Sequence, residues 1–433
     1  MKNNSVVFFS YTITNRLRFA AELVFQYLLG LTIHFTHDKY AYLEDKLPKI
    51  NYSDTPLSIN EYFIKKTTLL FESEINADRV GQDYIYFTQQ SPLDFDVLEA
   101  VFFLVTRYEE YAAKAASFDN HNRFPAKASI AHKFGFLQKP LINQWIMKIN
   151  AHLKALFPEL ETTLPTYTYQ PTFDIDMPWK YKNKGFVRAT GGLIKDFLKG
   201  DFVEFKNRLN ILRGSIDDPD FTFDYIFELH KTHNVSPIFF LLLGDHAEFD
   251  KNPHSDNKAF QQFISLVAKN YKVGLHPSYR SNEGSFVLQK EKRRFENMTQ
   301  LTLVRSRQHF LKLRFPETYQ RLLALGVKHD YSMGYANDIG FRASIVTPFR
   351  WFDLSKNEAT DLWIHPFQAM DVTLKDYLNL SPNEAVERVS ELINETKAVG
   401  GTFMTLWHNS SFSNTEGWEN WREVYERILT KAH

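Results

Sequence analysis

Asp174 and Asp176 close an apolar, β-prone run that contains Tyr167, Tyr169 and Phe173, and Pro178 stands two residues beyond. On an extended strand residues i and i+2 share a face, so the two carboxylates crowd one spot. Like charges that close call for a cation between them or a shared proton. A strand-end pair that caps the next turn through backbone N–H groups has the same spacing, and the fragment alone leaves both readings open. Three histidines end apolar runs far downstream: His276 in Gly274-Leu275-His276-Pro277, His309 in Arg307-Gln308-His309, and His408 in Leu406-Trp407-His408-Asn409. Taken singly, each is as readily a hydrogen-bonded or surface histidine as a ligand. Acids and imidazoles drawn from several strand ends together point to a metal-centred hydrolytic site, because rigid strands converge polar groups on a solvent-facing edge.

The elements that must position these groups change character near residue 165. Residues 1–165 mix short β-like runs (Val6–Ser10, Leu69–Phe71, Tyr84–Phe87) with helices near Arg16–Leu29, over 93–113 and over Leu141–Leu156, an α+β N-terminal domain. From 166 to 433, apolar β-branched and aromatic runs alternate with helical segments. The expected strands are 167–174, Ser236–Leu243, Tyr271–Leu275, Leu301–Val304, Val327–Tyr331, Leu362–Ile364 and Thr402–Leu406, with helices such as Phe223–His233, Asn257–Asn270, Pro316–Leu325 and Pro382–Val399 between them. That alternation predicts an α/β fold of parallel strands with crossover helices, an irregular (β/α) barrel of seven or eight strands. Gly400-Gly401 supply the tight turn into the last strand, whose His408 would then face the first strand and its aspartates.

Composition narrows the chemistry. The 433 residues suggest two domains or more, and 44% apolar with 24% charged content is that of a globular protein. Lys plus Arg and Asp plus Glu balance at 51 each, so no global field favours nucleic acid or an anionic membrane, although local patches remain open. Cysteine is absent, which excludes disulfides, thiolate zinc sites, iron–sulfur clusters and thiol nucleophiles. A bound metal must therefore use His, Asp or Glu, the ligand set of an open catalytic zinc site. The run Phe19–Phe35 contains Glu22 and Gln26 and reads as a helix and a strand, not a membrane span. No signal peptide is expected, and the default address is cytoplasmic. Asp330, Arg342, His365, Asp371 and the pair Asp245-His246 also fall at strand ends, while His233, His254 and His329 read as solvated. Glu109-Glu110 and Lys292-Arg293-Arg294 read as solvated helix faces or an ion-pair network.

Together the segments over 166–433 resemble the catalytic domain of the polysaccharide deacetylases (NodB-like, carbohydrate esterase family 4), in a divergent bacterial branch. Thr172-Phe173-Asp174-Ile175-Asp176 is close to the family's Thr-Phe-Asp-Asp-Gly, with an inserted Ile and no Gly. The resemblance implies that Asp174 is the catalytic base and Asp176 a metal ligand. His276 matches the first His of the family's His-x-x-x-His, but Arg280 stands where the second is expected, and His309 is the replacement. Arg342, ahead of Pro348, corresponds to the arginine that contacts the base; Leu406-Trp407-His408 matches the motif that ends in the acid histidine, and Asp371 is the acid that supports it. The implied chemistry is removal of N- or O-acetyl groups from a carbohydrate with a divalent metal, zinc above all. Trp179, Tyr279, Asp371 and Trp407 are the expected substrate-binding residues. Residues 1–165, including Arg107-Tyr108-Glu109-Glu110-Tyr111 and Gly135-Phe136-Leu137, resemble an uncharacterised domain that often precedes this branch. Two other readings stand beside it: a metal-dependent amidohydrolase acting on a small amide, and a non-catalytic carbohydrate-binding or assembly protein whose site has decayed.

Overall fold

A computed structural model describes residues 3–80 and 95–433, so the expected strand Tyr84–Phe87 lies outside the described residues. In the N-terminal part, β1 (Ser5–Phe9), β2 (Thr32–Thr36), β3 (Lys49–Ser53) and β4 (Tyr62–Lys65) form a parallel sheet in the order β2-β1-β3-β4. Alternation along β1 sends Val6 and Phe8 into the main core and Val7 and Phe9 against Tyr42 on the opposite face. Leu69–Phe71, expected as a strand, is a 3₁₀ turn. Its neighbourhood explains why: the amides of Thr67 and Leu69 are taken by the carboxylates of Asp96 and Glu99, so no strand partner is needed. The helix expected over 93–113 is capped by Asp96, runs Val97–Val105, and breaks at Arg107, whose φ of 56° is left-handed, before a last turn Tyr108–Tyr111. The helix Leu141–Leu156 matches expectation.

The second sheet has nine strands: β5 (Tyr167–Ile175), β6 (Ile238–Leu242), β7 (Lys272–His276), β8 (Arg305–Ser306), β9 (His329–Asp330), β10 (Phe349–Asp353), β11 (Glu358–Ile364), β12 (Ala369–Met370) and β13 (Gly401–His408). Their order is β10-β11-β9-β8-β7-β6-β5-β13-β12, parallel throughout except for the hairpin of β10 with β11. The α/β fold of parallel strands with helices between them matches expectation; among the described residues no strand pairing joins β10 to β12, so the pairing by itself does not show closure of the expected irregular barrel. β10 and β12 went unread in the sequence, the latter because two residues carry no periodicity. Leu301–Val304, expected as a strand, is not one, and the strand there is the next pair, Arg305–Ser306; the strand expected at Val327–Tyr331 shrinks to His329–Asp330.

Register carries the functional consequence. β13 lies beside β5 with His408 opposite Asp174, and β7 lies beside β6 with His276 opposite Leu242. Gly400 makes the first of these pairings possible: its φ is 74°, and a Cβ there would sit 1.9 Å from the Pro165 carbonyl oxygen.

Side chains from both sheets form one contiguous apolar core. Phe352 of β10 meets Phe19 and Phe102 of the N-terminal helices, each at 5.1 Å between ring centroids. A buried ionic group spans the same boundary. Arg342 donates to both oxygens of Glu110 (3.0 and 2.5 Å), and Arg107 donates to Glu109 and Glu110, each at 2.7 Å, and to the Arg342 carbonyl. The left-handed turn at Arg107 aims these groups inward, so the Glu109-Glu110 pair is an ion-pair network rather than a solvated face.

Candidate metal centre

Asp176, just beyond β5, His276, the last residue of β7, and His309, in the turn after β8, present ligand atoms that all lie within 4.8 Å of one another. Three strands separated by long crossover segments thus deliver their ends to one point on the C-terminal edge of the sheet. His276 Nε2 is 3.3 Å from Asp176 Oδ1, and His309 Nε2 is 3.5 Å from Asp176 Oδ2.

The outer nitrogens fix which ring atoms face inward. His276 Nδ1 donates to the Arg307 carbonyl oxygen at 2.6 Å, and His309 Nδ1 donates to Asp250 Oδ1 at 2.9 Å. Each Nε2 is then left to face the Asp176 carboxylate, the geometry by which a second ring partner prepares an imidazole as a ligand. Asp176 Oδ1 is buried and has no hydrogen-bond partner. A buried carboxylate oxygen that accepts no hydrogen bond while facing imidazole nitrogens is costly unless a cation completes it, so these residues fit a divalent ion with N₂O ligation and open positions.

Electrostatics agree. Burial opposes the charge on Asp176, but His309 and His276 hold its carboxyl well below the ordinary range. Burial likewise opposes the charge on His309, yet Asp176 and Asp250 raise it to about 9. A metal ion must displace that proton, so divalent-ion affinity is expected to fall by about tenfold per pH unit as the pH drops below 9. Calorimetric titrations at several pH values check this; an affinity flat across them would mean that no ligand proton is lost. Asp250→Ala is expected to weaken the ion about 10–100-fold, because it removes the acceptor that orients His309.

Asp174 lies beside this group, 3.5 Å from His276 Nε2 through Oδ2, while its Oδ1 accepts from Arg307 at 3.1 Å. Arg307 is itself buried, held by the Tyr331 carbonyl at 3.0 Å and laid over the Phe240 ring. The arginine expected at this position, Arg342, does not reach it: Glu110 and the Gly334 carbonyl occupy its guanidinium. The opposite wall carries His408, with Nε2 3.9 Å from Asp176. Asp371 accepts from its Nδ1 at 2.9 Å and from its backbone N–H at 2.7 Å, and also from the Ser411 hydroxyl. Burial works against protonation of His408, but Asp371, Asp176 and Asp174 raise it to about 10. It therefore holds a proton at neutral pH. Asp371 sits fully buried behind His408, a positioning residue rather than a substrate contact.

The expected aromatic platforms fall elsewhere. Trp407 alternates away from Leu406 and His408 on β13 and packs behind the sheet on Tyr425, 4.9 Å between centroids. Trp179 is stacked on Phe221 at 5.6 Å and is buried. Tyr279 is half-buried in a cluster with Phe249, Phe310 and His121, its hydroxyl 3.3 Å from His121 Nδ1. The cavity over the ligands, about 280 Å³, is lined instead by Leu311, Met370, Leu406, Phe310, Tyr377 and Arg123. Arg123 comes from the N-terminal part and donates to Asp119, to the Phe310 carbonyl and to the Tyr377 hydroxyl. Its loop, Asp119–Arg123, carries no sequence signal beyond that of a turn. Neither does Asp250.

Residues 6–158 match a family described as a family of unknown function, DUF7033. No curated protein matches the chain. Among solved structures, the chain is similar to a candidate polysaccharide deacetylase from Mycobacterium smegmatis, with 12% identity over 61% of this chain and 83% of that one and a TM-score of 0.38. It is similar to a polysaccharide deacetylase from Bacillus cereus at 11% identity over 61% and 86% of the two chains, TM-score 0.28. A carbohydrate esterase family 4 pseudoenzyme from Bacillus anthracis aligns at 12% identity and a TM-score of 0.29, over 60% of this chain; the chain spans 61% of that protein's length.

Proposed function

We propose that this chain is a metal-dependent hydrolase that removes N- or O-acetyl groups from a carbohydrate, with residues 166–433 as a NodB-like catalytic domain and 1–165 as a domain that completes its pocket. One observation carries the reading: ligand atoms of Asp176, His276 and His309 lie within 4.8 Å of one another, and a buried Asp176 oxygen there accepts no hydrogen bond. Asp176, His276 and His309 would hold a divalent ion, zinc by ligand type, which would supply a Lewis acid for the acyl carbonyl and lower the pKa of water. Asp174, aimed by its hydrogen bond from Arg307, takes the proton from the attacking water. His408, charged and oriented by Asp371, returns a proton to the leaving amine or alcohol; these are the two halves of general acid–base catalysis. Leu311, Met370 and Leu406 keep bulk water from the acyl group.

The cavity, about 280 Å³, lies at the small end of ligand pockets, which favours a single or terminal sugar residue over the interior of a polymer. The same dimension favours the second reading, an amidohydrolase of a small amide. Acetate release from N-acetylglucosamine oligomers, an O-acetylated xylan and simple acetamides separates the two. The proposal expects release from a glycan, its loss on chelation and its return with zinc. Turnover of the small amides alone, or none from any acetylated substrate with the site loaded, would overturn it.

A further inference from the structure

The segment that leaves β5 carries an exposed apolar surface that the proposed chemistry does not use. It folds as two helices, Phe186–Leu198 and Phe202–Leu212, joined through Gly200. Phe186 is 82%, Leu198 78% and Val203 74% exposed, and Ile194, Phe197 and Phe202 are each more than half exposed. On the first helix Phe186, Ile194, Phe197 and Leu198 follow helical spacing and form one stripe. The Phe197 ring meets Phe202 at 5.9 Å and Phe205 at 6.1 Å, so the stripe continues onto the second helix as a single patch. An apolar patch of this kind marks an interaction surface.

Charge identifies the partner. Residues 182–213 hold eight Lys and Arg against three Asp and Glu, in a chain whose total charge is zero. The three acids are all engaged within the hairpin or at its base. Asp196 is bonded to Arg208 at 2.5 Å, Asp201 caps the second helix, and Glu204 accepts from the Tyr181 hydroxyl. Lys195, Lys199 and Lys206 remain exposed around the apolar residues. Apolar side chains rimmed by lysines are the surface that an anionic bilayer attracts and buries. A second copy of the chain would set one cationic rim against another, which disfavours self-association through this face. At 13 and 11 residues the helices are too short to span a bilayer, so they would lie in its surface.

We propose that this helical hairpin docks the protein on an anionic lipid surface. The hairpin is braced for such a load. Gly192 leaves room for Arg208 to reach Asp196, since a Cβ there would lie 2.5 Å from the guanidinium. At its root, the Asp218 carboxylate accepts the backbone amides of Lys180, Tyr181 and Lys182 at 2.7, 2.8 and 2.8 Å. Phe186 stands ten positions after Asp176, so docking holds the candidate metal centre within roughly 35 Å of the bilayer surface, the reach of an extended chain of that length. The inference is independent of the deacetylase reading, because its test needs no turnover.

The test is co-sedimentation of the full chain with phosphatidylcholine vesicles and with vesicles of equal phosphatidylcholine and phosphatidylglycerol. Binding is expected to the anionic vesicles, to weaken with salt, and to drop at least tenfold in Leu198→Ser/Phe202→Ser and in Lys195→Glu/Lys199→Glu, with an unchanged thermal denaturation midpoint as the control for folding. No binding of the wild type to anionic vesicles, or equal binding by the variants, would overturn the proposal. So would a wild-type dimer that the variants dissociate, with no vesicle binding, which would assign the face to self-association.

Discussion

Asp174→Asn is expected to slow acetate release by about 10²–10⁴-fold, the usual contribution of a positioned base, while a stoichiometric divalent ion stays bound. The amide keeps the shape of the carboxylate and its hydrogen bond from Arg307 through the carbonyl oxygen, but cannot accept the water proton. Asp174 is separated from the ion-holding group by chemistry rather than distance: one of its oxygens is already committed to Arg307 at 3.1 Å. Kinetics and metal content measured on one preparation check the split. Undiminished turnover would remove Asp174 from the role of base, and loss of the ion along with turnover would make it a ligand instead.

The second large effect concerns stability. Glu110→Ala is expected to cost about 3–5 kcal/mol, because it leaves Arg107 and Arg342 buried without their shared carboxylate. Burial alone would raise the Glu110 pKa, but Arg342 and Arg107 outweigh it and hold the group below 4.5, its ordinary value. A depressed carboxylate contributes stability above its unfolded pKa and loses it as the pH falls through the folded one. Acidification below about 4.5 should therefore progressively remove the difference between wild type and variant. Thermal denaturation at neutral and acid pH measures both effects. A variant as stable as wild type at pH 7 would show that the network is not needed to join the N-terminal part to β10 and its neighbours.

How much of this was readable beforehand depended on whether a residue's role was local. The two-residue spacing of Asp174 and Asp176, the strand-end positions of His276 and His408, and the boundaries of helices such as Leu141–Leu156 and Pro382–Val399 are all local patterns, and the structure has them. The same rule, carried one step further, would have found Arg307: it stands two residues before His309 on an extended segment, as Asp174 stands before Asp176. Arg342 matches a motif by its position along the chain, yet the buried Glu110 claims it from another part of the chain. Trp407 shows the cost of counting residue types without faces, since its neighbours on β13 point to the site and it does not. Asp250 and Arg123 had no local signature. They reach the candidate site only when crossover segments and the N-terminal loop fold over the sheet edge, so tertiary contact alone places them there. β12 is likewise illegible, because a two-residue strand has no period to read.

The central claim is that Asp176, His276 and His309 hold one cation. Its most direct test is the zinc content and zinc affinity of the wild type against Asp176→Ala and His309→Ala after chelation and reloading. One equivalent is predicted in the wild type, with at least a hundredfold weaker binding in each variant. A wild type that takes up no stoichiometric divalent ion, or variants that bind as it does, would contradict the account.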